Sequence, residues 1–383
     1  MELRGNVVKI GIIGAGAIGR GYLPWVFANE NVEYFFVDTD KNLVDRLKSR
    51  GQFETYKVIE NKLQHLTVKV NNIFEPSEEA SKALESCDFI FVNVGPRACV
   101  AACSVIKNIN SIIIFCENDP LVCDWVRQSL GLKNLYFAIP DVITSNTAPD
   151  SILLEDPNAV ITEDGVLFID EKVPNLRGDF TRCSKAELAK QWTAKLYIHN
   201  TPHCIAAYLG ALIGVKYVHE AMQDKRVHEI VTGAMQEMLN ALKLKWDISH
   251  DFLDWYAKKE ISRFCNTLLN DPIARVAREP IRKLELDGRL IGAAQICLSS
   301  GFIPHNIILG IYAAMTFESQ DDADRHVKFM MESLRPVTFL TYVLGLRRGE
   351  ALEKTLSNHF DLSIRKLREL SGISRGANNE VAY

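Results

Sequence analysis

Along the first half of the chain, short continuous apolar runs alternate with stretches whose apolar residues recur every three or four positions. Val7–Ile13 reads as a strand and residues 17–29 as the helix that follows it. Glu33–Val37 is a second strand, with Lys41–Arg50 as its helix. The stretch Tyr56–Val70, with Glu60-Asn61 at its middle, interrupts the alternation and predicts a hairpin. The parallel pattern resumes with Asp88–Val94, a helix from about Pro96, and Ser111–Cys116. Strands apolar on both faces belong to a parallel sheet covered on each side. βαβ alternation predicts a doubly wound, Rossmann-type α/β domain.

The pattern weakens between residues 135 and 182, where Pro140, Pro149, Pro157 and Pro174 punctuate short strands such as Gly165–Asp170. These read as connecting or sheet-extending segments. Ser184 followed by Glu187 is a helix-start signature, and from there the periodicity is helical almost to the end. The expected division is an α/β domain over residues 1–183 and a mostly α-helical domain over 184–383. The last dozen residues carry no periodicity and are expected to be loose.

Composition adds mainly exclusions. A chain of 383 residues has room for two cores. A net charge of −4 gives no reason to expect nucleic acid as a partner. No apolar run approaches membrane-spanning length, and the N-terminus shows no signal-peptide pattern. Nine scattered cysteines, with no Cys-x-x-Cys pair, predict reduced thiols, no structural zinc and a cytoplasmic setting.

Chemistry first shows at Gly14-Ala15-Gly16-Ala17-Ile18-Gly19, which closes an apolar strand and opens a helix. In that context Gly14 permits the tight turn, Gly16 lets backbone amides approach a pyrophosphate, and Gly19 allows close helix–strand packing. The anion would rest on the helix N-terminus. Asp38 ends the second strand, about twenty residues after the last glycine. A carboxylate there accepts from ribose hydroxyls and repels a 2′-phosphate, so the expected cofactor is NAD.

A second window, Lys195-Leu-Tyr-Ile-His-Asn-Thr-Pro-His203, gathers ionisable and amide groups in an apolar surrounding. For Lys195 to act as a base near neutrality its pKa must fall by roughly 2–3 from about 10.4, some 3–4 kcal/mol of differential stabilisation. Burial and a nearby positive charge supply such a change. Asn200 and an amide such as Asn118 would donate to an oxygen gaining negative charge, and His203 would orient a neighbouring hydroxyl. A straight helix separates Lys195 and Asn200 by about 140°. Pro202 disfavours that straight helix, so a break near Asn200–Thr201 is expected, with Pro202 in the first turn of a new helix. Taken singly, such a lysine is ordinarily a solvated surface residue and such a histidine a satisfied core residue.

The string Lys-Leu-Tyr-Ile-His-Asn-Thr-Pro-His-Cys-Ile-Ala-Ala-Tyr-Leu-Gly resembles the lysine–asparagine–histidine motif of the polyol-specific long-chain dehydrogenases. The resemblance extends over nearly the whole chain. It takes in Gly14–Gly21, Phe36-Val-Asp38, Cys116-Glu-Asn118, Arg278-Glu-Pro-Ile-Arg-Lys-Leu284, Pro304-His305 and Gly310-Ile-Tyr-Ala-Ala-Met315. It implies a zinc-independent enzyme that transfers a hydride between a hexitol phosphate and NAD. Lys195 would be its general base, Asn118 and Asn200 its donors to the oxygen, and Glu117 would lie on the cofactor side. Three positions depart from the family pattern: Val142 for an arginine, Gly292 for a lysine common in sugar-phosphate members, and Pro202 for a glycine.

Arg275, Arg278, Arg282 and Arg289 recur at helical spacings with Lys283 adjacent, and guanidinium groups hold phosphate bidentately. With His305 they are the candidates for the substrate's anionic end. Pro280 and Gly288 exclude one straight helix through all of them. A free hexitol or a hexuronate would fit the same chemistry, and a dinucleotide-binding sensor without turnover is the alternative of another class.

Overall fold

The computed structural model describes residues 7–60, 62–319 and 325–372. Asn61, the Asp321-Asp322 pair and the chain end from residue 373, where the loose stretch is expected, lie outside the described residues. The described chain divides into two compact units. One runs to Trp192 and includes Leu268–Asn270; the other comprises Thr193–Thr267 and the chain from Asp271 onward.

In the first unit the apolar runs form strands β1 (Val8–Ile13), β2 (Val32–Val37), β3 (Gln52–Ile59), β4 (Lys62–Lys69), β5 (Asn72–Phe74), β6 (Phe89–Val92), β7 (Ile113–Cys116), β8 (Leu135–Asp141), β9 (Thr144–Ser145), β10 (Val160–Glu163), β11 (Val166–Asp170) and β12 (Thr181–Cys183). The main sheet runs β12-β11-β8-β7-β6-β1-β2-β5. Its members from β5 to β8 are parallel, in the order of a dinucleotide-binding sheet. Alternate side chains fill cores on both faces: Phe89 and Phe91 pack with Ile10, Ile12 and Phe36, while Ile90 and Val92 pack with Ile13, Val37 and Phe115. That two-sided burial is why these strands read as unbroken apolar runs.

The predicted hairpin is present as β3 and β4, but it does not join the main sheet. It builds a second sheet with β10 and β9, in the order β4-β3-β10-β9. The helix expected over 17–29 is shorter than its pattern: a π-helical turn, Ala17–Tyr22, passes into an α-helix that covers only Leu23–Val26. Phe27 then leaves the helical region (φ −111°, ψ 15°). Ser184 and Glu187 make the reciprocal capping bonds that their spacing predicted.

The second unit is helical and is organised around Thr201–Leu212, buried along its whole length from Thr201 to Gly210. Helices Lys225–Lys245 and His305–Met315 pack on it. Gly310 faces Ile205 so closely that a side chain at 310 would collide with it. A Cβ at Gly210 would stand 2.5 Å from Ile273. The apolar packing of this helix therefore depends on small residues at its crossings. No described helix is long and apolar enough to cross a membrane.

Candidate active site

The glycine loop has the geometry that dinucleotide binding requires. Gly14 takes φ +95°, which L side chains rarely adopt. A Cβ at Gly19 would collide with the carbonyl oxygen of Gly14, whereas one at Gly16 would meet nothing within 4 Å. The first and third glycines thus serve the fold, and the second leaves an open approach to the backbone. Asp38 accepts from the Ala15 amide at 2.7 Å and from the Asp40 amide at 2.9 Å, tying the strand end to the loop. Arg20 is buried and reaches back to the Ala15 carbonyl at 2.5 Å and to the Asn158 carbonyl. Burial lowers its guanidinium to about 10, with Asp38 the largest opposing influence. Glu117 is buried, and its carboxylate accepts from the Gly95 amide at 2.8 Å. Asn118 stands exposed just beyond the end of β7, where ligands of open α/β sheets bind.

In the second unit Lys195, His199, Asn200 and His203 are all buried. The expected break at Asn200–Thr201 does not occur: Asn200 (φ −67°, ψ −33°) and Thr201 (φ −65°, ψ −61°) keep helical backbone angles. The chain widens instead into a π-helical turn, Lys195–Asn200, before the α-helix begins with Pro202 in its first turn. In α-helical pairing a residue at 202 would bond to the carbonyl of 198, and proline has no N–H to do so. A π turn pairs each residue with the one five along, so Asn200 becomes the neighbour of Lys195 one turn on. The widening thus takes the place of the expected break. Thr201 fastens the turn: its hydroxyl lies 2.6 Å from the Arg289 carbonyl and 3.2 Å from that of Leu196.

The helix has two contrasting faces. His199 and His203 lie one turn apart, ring centroids 4.9 Å from each other, with His203 stacked on Phe264 at 5.0 Å. His199 Nδ1 meets Glu260, and His203 Nε2 lies 2.9 Å from Asp271. Burial lowers the His203 pKa against the opposing pull of Asp271, so the ring is neutral near pH 7. The other face, formed by Thr201, Cys204 and Tyr208, meets the basic segment: Lys283 Nζ stands 5.6 Å from the Tyr208 ring centroid. Burial and then Arg289 push the Lys283 ammonium well down, and burial and then Arg282 lower Arg289 to about 10. Glu279 pairs with Arg282 at 3.0 Å and with Arg278 at 3.8 Å. Arg282 Nε is buried with no hydrogen-bond partner among the described residues.

The six residues proposed for an anionic group are therefore not brought together as one set. Arg282, Lys283 and Arg289 act on one another electrostatically, and Arg278 is mostly exposed beside Glu279. Arg275 instead closes on Asp271 through Nε at 2.9 Å and Nη2 at 2.5 Å. His305 is exposed, with its ring 5.2 Å from that of His359. As foreseen, the segment is divided, into helices Ile273–Ala277, Pro280–Lys283 and Ile291–Ser299. At Gly292 a Cβ would stand 2.9 Å from the Asp287 backbone, so a larger residue there would displace the turn that carries Arg289. Sequence reasoning missed His199, Glu260, Asp271 and Arg263. The available signal was acid–arginine spacing, Glu260 with Arg263 and Asp271 with Arg275. Among the described residues no group of three or more His, Cys, Asp or Glu is placed to hold a metal ion.

Residues 7–131 match the family described as the mannitol dehydrogenase Rossmann domain, and residues 188–335 the mannitol dehydrogenase C-terminal domain. A mannitol-1-phosphate 5-dehydrogenase of Thermoanaerobacter pseudethanolicus is 31% identical over 81% of this chain and 86% of its own length. That of Caldanaerobacter subterraneus is 28% identical over 91% and 97%. Among solved structures, Pseudomonas fluorescens mannitol 2-dehydrogenase, in a ternary complex with NAD and D-mannitol, superposes with a TM-score of 0.78 at 15% identity, covering 98% of this chain and 96% of that one. A substrate-free D-sorbitol dehydrogenase gives 0.64 at 12% identity, covering 96% and 97%.

Proposed function

The chain belongs to the mannitol dehydrogenase family, and on that premise we propose that it interconverts mannitol 1-phosphate and fructose 6-phosphate with NAD. Polyol oxidation is the chemistry its relatives share by name, and the solved mannitol 2-dehydrogenase carries NAD and D-mannitol. The observation that carries the phosphate is the basic segment. Three largely buried basic side chains, Arg282, Lys283 and Arg289, lie around the carboxylate of Glu279, and Arg282 Nε has no hydrogen-bond partner among the described residues. Such an excess of buried charge is unfavourable until an anion joins it.

The glycine loop and Asp38 suit a dinucleotide without a 2′-phosphate, because Gly16 leaves the backbone open and the carboxylate faces the loop. Bound there, NAD supplies the hydride acceptor. Lys195 takes the proton from the reacting hydroxyl. Asn200 and Asn118 donate to the oxygen as negative charge develops. His203 gives its Nε2–H to Asp271, which leaves Nδ1 to accept from a neighbouring hydroxyl.

Lys195→Ala should abolish measurable turnover while NADH binding, read by fluorescence, survives; unchanged turnover would remove the lysine from the mechanism. The substrate is tested by comparing kcat/KM for fructose 6-phosphate, fructose and a hexuronate. The basic segment predicts an advantage on the order of 100-fold or more for the phosphate. Val142 and Gly292, which depart from the family pattern, favour the second reading, a free hexitol or hexuronate, and equal constants would establish it. A protein that binds NADH yet turns over none of the panel would be a sensor.

A further inference from the structure

The two buried histidines of the catalytic helix are held in the same way by residues far along the chain. Glu260 and Asp271 each give one carboxylate oxygen to an imidazole and the other to a guanidinium. Glu260 Oε2 meets His199 Nδ1, while Oε1 accepts from Arg263 Nη1. Asp271 Oδ2 meets His203 Nε2 at 2.9 Å, while Oδ1 accepts from Arg275 Nε and Nη2. In each case the arginine follows its own acid, by three residues or by four. Glu260 is wholly inaccessible and Asp271 nearly so.

A carboxylate removed from water is unfavourable unless it is paired and fully hydrogen-bonded. Core stability gives no reason to place two of them beside one another on a single helix face. Fixing an imidazole does give a reason. A carboxylate partner determines which ring nitrogen carries the proton and which way the ring points. The guanidinium behind it keeps the carboxylate ionised and immobile.

We propose that Glu260 with Arg263, and Asp271 with Arg275, are positioning residues that act through His199 and His203 to set the register of the turn carrying Lys195 and Asn200. The proposal rests on the reading of Lys195 as the base. His199 immediately precedes Asn200, so fixing its ring fixes the backbone from which the Asn200 amide projects. His203 held through Nε2 keeps Nδ1 as an acceptor. Arg275 serves this relay and does not contact phosphate.

Glu260→Gln and Asp271→Asn test it, because an amide fills the same space but can turn its NH2 toward the ring. In ¹⁵N-histidine NMR spectra the wild-type protein should show His199 protonated on Nδ1 and His203 on Nε2, and each variant should show its histidine in mixed tautomers. With fructose 6-phosphate, or fructose if that is the better substrate, kcat should fall roughly 10- to 100-fold while the NADH dissociation constant holds. The primary isotope effect with nicotinamide-deuterated NADH should rise as hydride transfer becomes slower than product release. A purely structural role would lower Tm and the active fraction but leave kcat per active site and the isotope effect at wild-type values, and that result would overturn the proposal. If either amide variant fails to fold, Arg263→Lys and Arg275→Lys keep the charge while loosening its geometry and are read by the same spectra and isotope effect. Lys195→Ala is measured alongside. Turnover surviving in it removes the base, whereas a dead Lys195→Ala beside wild-type behaviour in all the relay variants removes the relay alone.

Discussion

Both candidate functional segments of this protein contain a six-residue π turn, Ala17–Tyr22 and Lys195–Asn200, yet the two are made in opposite ways. The first is shaped by what is missing. Gly14 adopts a positive φ, and Gly19 and Gly21 press against the Gly14 carbonyl and Thr144, where no side chain fits. The second is built from full-sized side chains, every one buried, and is held by partners 61 to 88 residues away. A steric turn records its requirement in its own sequence; a tethered turn records it elsewhere. π turns recur at functional sites, and here the same backbone device follows the glycine loop in one unit and carries Lys195 and Asn200 in the other.

The largest predicted effect separates the glycines of the first turn. Gly19→Ala forces a methyl against the Gly14 carbonyl, which is backbone and cannot rotate away, so it should cost about 3 kcal/mol of stability. Gly16→Ala meets open space and should leave Tm unchanged, yet it should weaken NADH binding about tenfold by standing where the pyrophosphate approaches. Calorimetry and NADH fluorescence on the two variants decide the matter. If both lose stability equally, the loop is structural throughout and the steric half of the comparison collapses.

That contrast also explains what the sequence made legible. The parallel strands, the hairpin and the helix start at Ser184 could be read because each is fixed by local periodicity or capping. The second sheet could not, since β3 pairs with β10 about a hundred residues on, and pairing leaves no mark in either strand. In the candidate site, Pro202 correctly signalled that a straight helix fails. A break and a widening nevertheless look alike in sequence, because both answer the same missing N–H. Arg275 illustrates the remaining difficulty. Helical spacing grouped it with Arg278, Arg282 and Arg289, but Asp271, four residues before it, claims its guanidinium. Spacing shows which residues share a face, and only the fold shows which charge arrives first.

The tethers of the second turn should be sensitive to acid. Burial pushes the Asp271 carboxyl up, but Arg275 and the bond from His203 more than offset it and hold it at about 2, against 3.8 ordinarily. A depressed carboxyl stabilises the fold above its unfolded pKa and loses that contribution as pH falls through the folded value. His203, lowered from 6.5 by burial, has the same sign: its unfolded form takes up protons first as pH falls. Stability should thus erode mildly below about pH 6.5 and more steeply between about 4 and 2, the Asp271 share being on the order of 2 kcal/mol. Asp271→Asn should be less stable at neutral pH but flatter below pH 4. Parallel Tm curves for wild type and variant would dissociate Asp271 from the tether.

The smallest effect tests the tie between the Lys195–Asn200 turn and the basic segment. Thr201 donates to the Arg289 carbonyl at 2.6 Å, so the residue that opens the α-helix also holds the backbone of the arginine proposed to meet the substrate's anion. Valine has nearly the same shape and no hydroxyl. In Thr201→Val the Arg289 carbonyl loses its donor, a change of about 1 kcal/mol, while the apolar packing of the helix persists. If the bond only stabilises the fold, every substrate should suffer alike through Tm. If it sets the Arg289 backbone relative to Lys195 and Asn200, kcat/KM should fall several-fold for fructose 6-phosphate and hardly at all for fructose, with NADH binding unaltered. A selective loss would mean that the tethered turn answers to its substrate's charged end as well as to its own acids, a coupling that a turn made of glycines cannot provide.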